Sequence, residues 1–103
     1  MNSVNLVGNL TRDPDVRYIP GVDPKAVCNF SIAINRPNSG VDYPRIVCFG
    51  KLAENCERYL KTGKKVAIEG RLQTDTYEKD GHKVFTTEVV ASRVEFLSGN
   101  QSE

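Results

Sequence analysis

The sequence is poor in the residues that build metal sites and disulfide frameworks. Its 103 residues include one histidine, His82, and three cysteines, of which no two form a Cys-x-x-Cys pair. An odd number of cysteines at these spacings predicts neither a zinc site nor a set of disulfides. We therefore expect no metal or other cofactor, and three buried, reduced thiols: Cys28, Cys48 and Cys56.

Long apolar stretches are also missing. No segment approaches the roughly 20 apolar residues that span a bilayer, and the N-terminus lacks the basic and then apolar order of a signal peptide. With 39% hydrophobic and 26% charged residues, the chain resembles an ordinary globular domain and is too apolar to be disordered. The sequence predicts one soluble, cytoplasmic domain and excludes membrane proteins, repeat proteins and large multidomain enzymes.

Motifs that carry catalysis are absent as well. The sequence contains no P-loop, no Gly-x-Ser-x-Gly and no His-x-x-x-His, and these are the spacings that hold phosphates, nucleophiles or metals. The acidic residues are scattered, so no acid and base can be paired. We predict that the protein is not an enzyme.

Charge is balanced in total but uneven along the chain. The 14 basic and 13 acidic residues give a net charge of +1. Residues 36–71 carry eight basic and four acidic side chains, whereas residues 72–103 carry three basic and six acidic ones. A local excess of this kind can form an anion-binding face without a high overall pI. On charge alone, however, an ordinary solvated surface is the favoured interpretation.

Apolar residues recur mostly at every second position, which predicts strands. The first strand covers residues 3–10 and has a short continuation at 16–18, the second covers 28–35, and the third runs from about 42 to 49. A turn cluster occupies residues 20–24. Pro44 lies inside the third strand, which must therefore tolerate one missing ladder hydrogen bond.

A single helix and a long hairpin follow. Residues 51–61 place Leu52, Cys56, Tyr59 and Leu60 on one helical face, and Gly63 is expected to cap the helix. The fourth strand begins at residue 66 with Leu72 facing inward, and Asp80-Gly81 predicts a tight hairpin turn. The fifth strand ends near residue 97. Its apolar residues change from odd to even positions between Ala91 and Val94, which predicts a bulge.

Three strands, a helix and two strands form the layout of the OB-fold. We predict an all-β protein, a five-stranded Greek-key barrel with one short helix between strands 3 and 4, because closure hides the edges of a small sheet. The barrel domain covers residues 1–98, and residues 99–103 form a disordered polar end. SH3-like and sandwich arrangements remain alternatives.

The third strand carries the pattern most informative about function. Tyr43, Arg45, Val47 and Phe49 share one face, and Pro44, Ile46 and Cys48 share the face that matches a core. Aromatic rings with cations between them suit single-stranded nucleic acid, because rings stack on bases and cations meet phosphates. Lys51 follows directly, and Tyr77 adds a third ring near the hairpin. The alternatives are packing of the rings within the protein and pairing of Arg45 with Glu69.

Several separate segments resemble bacterial single-stranded DNA-binding proteins. They are NLVGNLTRDPDVRY at 5–18, FGKLAE at 49–54, YLKTG at 59–63, IEGRLQT at 68–74 and TTEVV at 86–90. The resemblance extends over residues 2–98 and implies an OB-fold, a homotetramer and sequence-independent binding of single-stranded DNA in replication, recombination and repair. It implies stacking rings at Tyr43, Phe49 and Tyr77 and phosphate contacts at Arg45 and Lys51. Arg36 and Arg71 are added from charge and expected exposure only.

The sequence departs from that family in three places: the short loop that holds Asn38, the pair Asp75 and Thr76, and Pro44 inside the third strand. Asn38 lies where members often carry another aromatic residue, and Asp75 and Thr76 lie where they often carry basic ones. These departures predict a weaker or shorter DNA footprint. The family also continues into a long polar tail with an acidic tip, and since this sequence stops at Glu103 we do not expect it to recruit replication and repair proteins through such a tip. A protein-interaction module of the primosome accessory type and a single-stranded RNA binder remain alternatives.

Overall fold

Seven strands and one helix form the protein in the computed structural model, which describes residues 1–21 and 25–97. The predicted all-β class is confirmed. Residues 22–24 of the predicted turn cluster and the predicted polar end at 99–103 lie outside the described residues. In chain order the elements are β1 (Val4–Leu10), β2 (Asp15–Ile19), β3 (Lys25–Asn35), β4 (Val41–Asp42), β5 (Arg45–Phe49), α1 (Gly50–Tyr59), β6 (Lys65–Lys79) and β7 (His82–Phe96).

The seven strands correspond to the five predicted ones because two of those are interrupted. β1 and β2 both pair with β3, and so do β4 and β5. Pro44 lies in the break between β4 and β5, so its predicted place inside a strand is wrong. A proline donates no ladder hydrogen bond, but its carbonyl oxygen still accepts one from the Ile32 N–H at 3.3 Å.

The strands close into a barrel, as predicted. Their order is β1-β6-β7-β5-β3-β2, and β1 also pairs with β3, which completes the ring. Neighbours are antiparallel except for β5 and β7, which run parallel with Val47 opposite Val90. This is the predicted OB-fold arrangement, with α1 between β5 and β6.

The barrel interior holds isoleucines, valines and all three cysteines. Ile32, Ile46 and Ile68 are at most 1% exposed. The thiols of Cys28, Cys48 and Cys56 are free and fully buried, which confirms their predicted burial, and the Cys48 and Cys56 sulfurs lie 3.7 Å apart. Contacts with the other two thiols, together with burial, raise the pKa of Cys48 above its usual range. These sulfurs act as small apolar groups of the core.

The helix differs from its prediction on its apolar face and at its end. Cys56 and Leu60 are buried as expected, but Tyr59 is 54% exposed and its ring packs against Phe96, with centroids 5.6 Å apart. The helix ends at Tyr59, and Leu60 is already extended. Gly63 is therefore not the cap; its N–H donates to the Leu10 carbonyl oxygen at 2.9 Å in the turn that leads to β6. Neither α1 nor any other helix in the described part of the chain is long and apolar enough to cross a membrane.

The predicted hairpin and bulge are both confirmed. Asp80 and Gly81 have φ values of 53° and 79°, the two positive values that a type I′ turn requires. Glu69 pairs with Arg93 and Gly70 pairs with Ala91, so Ser92 is the extra residue of a bulge in β7. Leu72, predicted to face inward, is 46% exposed although its partner Val89 is buried, because β1 begins only at Val4, opposite Gly70, and does not reach it.

Asp13 ties the β1–β2 turn to the end of the helix. Its carboxylate accepts hydrogen bonds from the backbone N–H and the hydroxyl of Thr62, each at 2.9 Å. These two bonds lower the pKa of Asp13 from its ordinary 3.8. The folded state therefore favours the ionised form more than the unfolded state does.

We expect this pairing to contribute stability that is fully present above about pH 4 and is lost as the pH falls through the lowered pKa. Asp13→Asn removes the titrating group, so the variant should lose less stability than the wild type between pH 5 and pH 3. The urea midpoint measured at several pH values checks this. Parallel curves for the two proteins would contradict it.

Candidate nucleic-acid interface

β5 divides its side chains between the core and the outer surface. Ile46 and Cys48 are buried, as predicted, whereas Tyr43 just before the strand is 62% exposed and Phe49 is 39% exposed. Arg45 lies between these rings and is exposed. Val47 shares the outer face but is 4% exposed, because β3 and β7 flank it on both sides. The outer face of β5 thus presents ring, cation and ring in that order.

Tyr43 and Arg45 line an open cleft of about 510 Å³ against the β1–β2 turn. Arg12 borders the same cleft and was not recognised from the sequence. Within residues 1–21 and 25–97, no carboxylate oxygen lies within 4 Å of the Arg45 guanidinium. The alternative pairing with Glu69 is therefore not formed, and Arg45 makes no ion pair there, although Asp13 and Asp15 also line the cleft.

Phe49 stands where the sheet passes into the helix. It is the N-cap residue of α1, with extended backbone (φ −130°, ψ 156°). Gly50 then begins the helix with a φ of 66°, and the exposed Lys51 is the second helical residue. The Nζ atom of Lys25 lies 5.8 Å from the centroid of Phe49. Sequence periodicity gave no sign of Lys25, because only the register of β3 against β5 brings it to this ring.

Tyr77 lies on the same face of the sheet as the outer residues of β5. Val47 is opposite Val90 in β7, and Val90 is opposite Arg71 in β6. Residues at every second position share a face, which places Tyr77 on the Arg71 side. Tyr77 is 51% exposed, and its cross-strand partner Val84 is six residues, roughly 20 Å, along β7 from Val90. Since β5 and β7 are parallel, the hairpin leaves the barrel beyond the Arg45 end of β5.

The two arginines added from charge alone differ in their surroundings. The Nε and Nη2 atoms of Arg36 donate to the same carboxylate oxygen of Asp42, at 3.1 and 2.8 Å. The Asp42 charge therefore offsets that of Arg36. Arg71 is exposed and donates to the neutral side-chain oxygen of Gln73 at 3.0 Å, so its positive charge is not compensated there.

A further exposed ring, Phe85, was not recognised from the sequence. It is 73% exposed and lies opposite Thr76, on the hairpin face turned away from Tyr77. Phe85 lies four residues before the buried Val89 in β7, so the alternation of the strand puts both on one face and predicts that Phe85 is a core residue. Beyond the barrel, however, both faces of a two-stranded hairpin meet solvent.

Comparison with known proteins identifies the family of the chain. The model of the "Single-strand binding protein family" matches residues 1–97. The chain belongs to this family. The resemblance noted in the sequence is thereby confirmed for this member of the single-strand binding protein family, and so is its OB-fold.

Three curated relatives of this family member are named "Single-stranded DNA-binding protein". Those of Oceanobacillus iheyensis and Halalkalibacterium halodurans are 47% and 46% identical, with alignments covering the whole chain and 67% and 66% of the relatives. That of Bacillus cereus is 47% identical over 94% of the chain and 60% of the relative. The chain therefore spans about two thirds or less of the length of these relatives.

Proposed function

We propose that this chain binds single-stranded DNA without sequence preference, in replication, recombination and repair. In this proposal bases stack on Tyr43, Phe49 and Tyr77, while Arg45 and Lys51 contact phosphates. The observation that supports it is the run of three exposed rings along one sheet face, from β5 to the hairpin, with Arg45 between two of them. Membership of the family also supports a binding protein rather than an enzyme.

The chemistry of this face explains why no particular sequence would be selected. Every base offers a flat ring to an aromatic side chain, and stacking contributes about 1–3 kcal/mol per base. Contacts with phosphates carry no sequence information. Because such contacts release counterions, the affinity should fall as salt rises.

The surrounding arginines contribute unequally. Arg71 extends the basic surface towards Tyr77, since the Gln73 side chain to which it donates is neutral. Arg36 contacts DNA only if its bond with Asp42 opens, so its contribution is the smallest. Asn38 in the β3–β4 loop and Asp75 in the hairpin supply neither a ring nor a positive charge, which supports a short footprint on each subunit.

A fluorescence-anisotropy titration of labelled oligo-dT at two salt concentrations tests this function. We expect sub-micromolar binding that salt weakens and that duplex DNA does not compete away. Equal competition by oligo-rU would instead indicate a binder of single strands that does not distinguish RNA from DNA, because neither stacking nor phosphate contacts read the 2′-OH. Absence of binding would favour a protein-interaction module.

We further propose that the chain acts in the cytoplasm as a homotetramer. β1 pairs with β6 along one edge, but among the described residues it meets β3 only through Asn9 and Leu10. The remaining edge is open and Val7 beside it is 48% exposed; open edges of this kind pair readily with another strand. Sedimentation should give a mass four times the 11.5 kDa of one chain, and a monomer would contradict the proposal.

A further inference from the structure

We propose that Lys25 is an additional phosphate-binding residue that acts together with Phe49. The inference rests on the proposed function, since it takes Phe49 as a stacking ring. Lys25 begins β3, and Val27, two residues later, is opposite Phe49 in β5. The register therefore brings the lysine side chain to the exposed side of this ring.

The contact between them leaves room for a base. The Nζ atom lies 5.8 Å from the centroid of Phe49, close to the roughly 6 Å limit of a cation–π interaction. At this distance the contact of the ammonium group over the ring is weak, and Phe49 remains 39% exposed with the lysine in place. A base can thus stack on Phe49 when the flexible lysine side chain moves aside, which leaves the ammonium group near that nucleotide.

The charge of Lys25 is available to an anion. In the described part of the chain, no carboxylate oxygen lies within 4 Å of its Nζ atom. The Cε atom would be 3.9 Å from a Cβ atom built on Gly50, so the lysine stem crosses the start of α1. Lys51 is the next residue along the helix and is exposed, so a second lysine side chain starts one residue from this contact.

Lys25→Gln tests the inference through the salt dependence of oligo-dT binding. One phosphate contact on a single strand contributes about 0.7 to the slope of log K against log[salt]. We expect the variant's slope to be shallower by about 0.7, with binding about fivefold weaker near 0.1 M salt and equal to the wild type near 1 M. Lys25→Arg should keep the wild-type slope.

Two matched variants separate this inference from the proposed function. Lys61→Gln removes one exposed lysine just beyond the C-terminal end of α1, a ten-residue helix about 15 Å long, and should leave the slope unchanged. Phe49→Ala should weaken binding without changing the slope, because stacking releases no counterions. If Phe49→Ala binds normally, the proposed site is wrong. The role of Lys25 together with Phe49 is then wrong as well.

Two further results would overturn the role of Lys25 alone. One is an unchanged slope for Lys25→Gln while Phe49→Ala binds weakly. The other is tighter binding by Lys25→Gln, which would mean that the lysine competes with the base for the ring. A thermal melt of each variant confirms that the protein titrated is folded.

Discussion

Replacing Tyr43 and Tyr77 together by alanine is expected to weaken oligo-dT binding by at least about 30-fold. Each stacked base contributes about 1–3 kcal/mol, and two rings at the lower value amount to about 2 kcal/mol, where 1.4 kcal/mol is a factor of ten. Both side chains are more than half exposed, so their removal should leave the stability of the fold nearly unchanged. Anisotropy titrations at constant salt, with urea unfolding of the same samples, measure the two effects.

Two matched controls distinguish stacking from other effects of the substitutions. Tyr43→Phe with Tyr77→Phe keeps both rings and should retain most of the affinity. Phe85→Ala removes an exposed ring from the opposite face of the same hairpin and should bind oligo-dT like the wild type. If Phe85→Ala loses as much affinity as Tyr77→Ala, or if the double alanine variant binds normally, the assigned face is wrong.

Gly70→Ala is expected to destabilise the protein by about 3 kcal/mol, the upper end of the cost of overpacking. A Cβ atom at this position would overlap the carbonyl oxygen of Val90 and approach the Cα atom of Ala91 at 3.0 Å. Both contacts are with backbone atoms at the bulge of β7, where the strand pair bends, so no side chain can move aside. The shift of the urea midpoint measures the loss.

Gly81→Ala is the control for this prediction because it separates crowding from backbone conformation. Nothing lies within 4 Å of a Cβ atom at Gly81, but its φ of 79° disfavours any residue with a side chain. We expect a cost of about 1 kcal/mol there. Equal, small losses for the two variants would contradict the close approach of β6 and β7 at Gly70.

The sequence was sufficient to predict the outer face of β5, because side chains in a strand alternate whatever the strand pairs with. Periodicity alone could therefore separate Tyr43 and Phe49 from Ile46 and Cys48. The same reasoning failed for Leu72, which lies past the start of β1, and for Phe85, which lies where the hairpin has left the barrel. Periodicity reports which face a residue is on, and the extent of the barrel decides whether that face is covered.

Contacts between distant segments could not be predicted. Lys25 contacts Phe49 only because of the register of β3 against β5. Arg36 contacts Asp42 only because the β3–β4 loop reverses the chain direction. Tyr59 was expected in the core from its helical spacing. Because α1 ends at this residue, its ring instead packs against Phe96 at the surface. The fold class and the exposed rings on β5 thus followed from local patterns, whereas the pairing of each cation could be read only from the tertiary structure.

Tyrosine fluorescence tests stacking most directly, since the sequence has four tyrosines and no tryptophan. In a Tyr18→Phe, Tyr59→Phe background, Tyr43 and Tyr77 are the only tyrosine emitters left. A base stacked on either ring should quench its emission. We predict that oligo-dT quenches this emission and that the quenching saturates at the same stoichiometry as anisotropy measured on the same variant. Saturated anisotropy with unchanged tyrosine emission would place the DNA elsewhere on the protein and contradict the proposed interface.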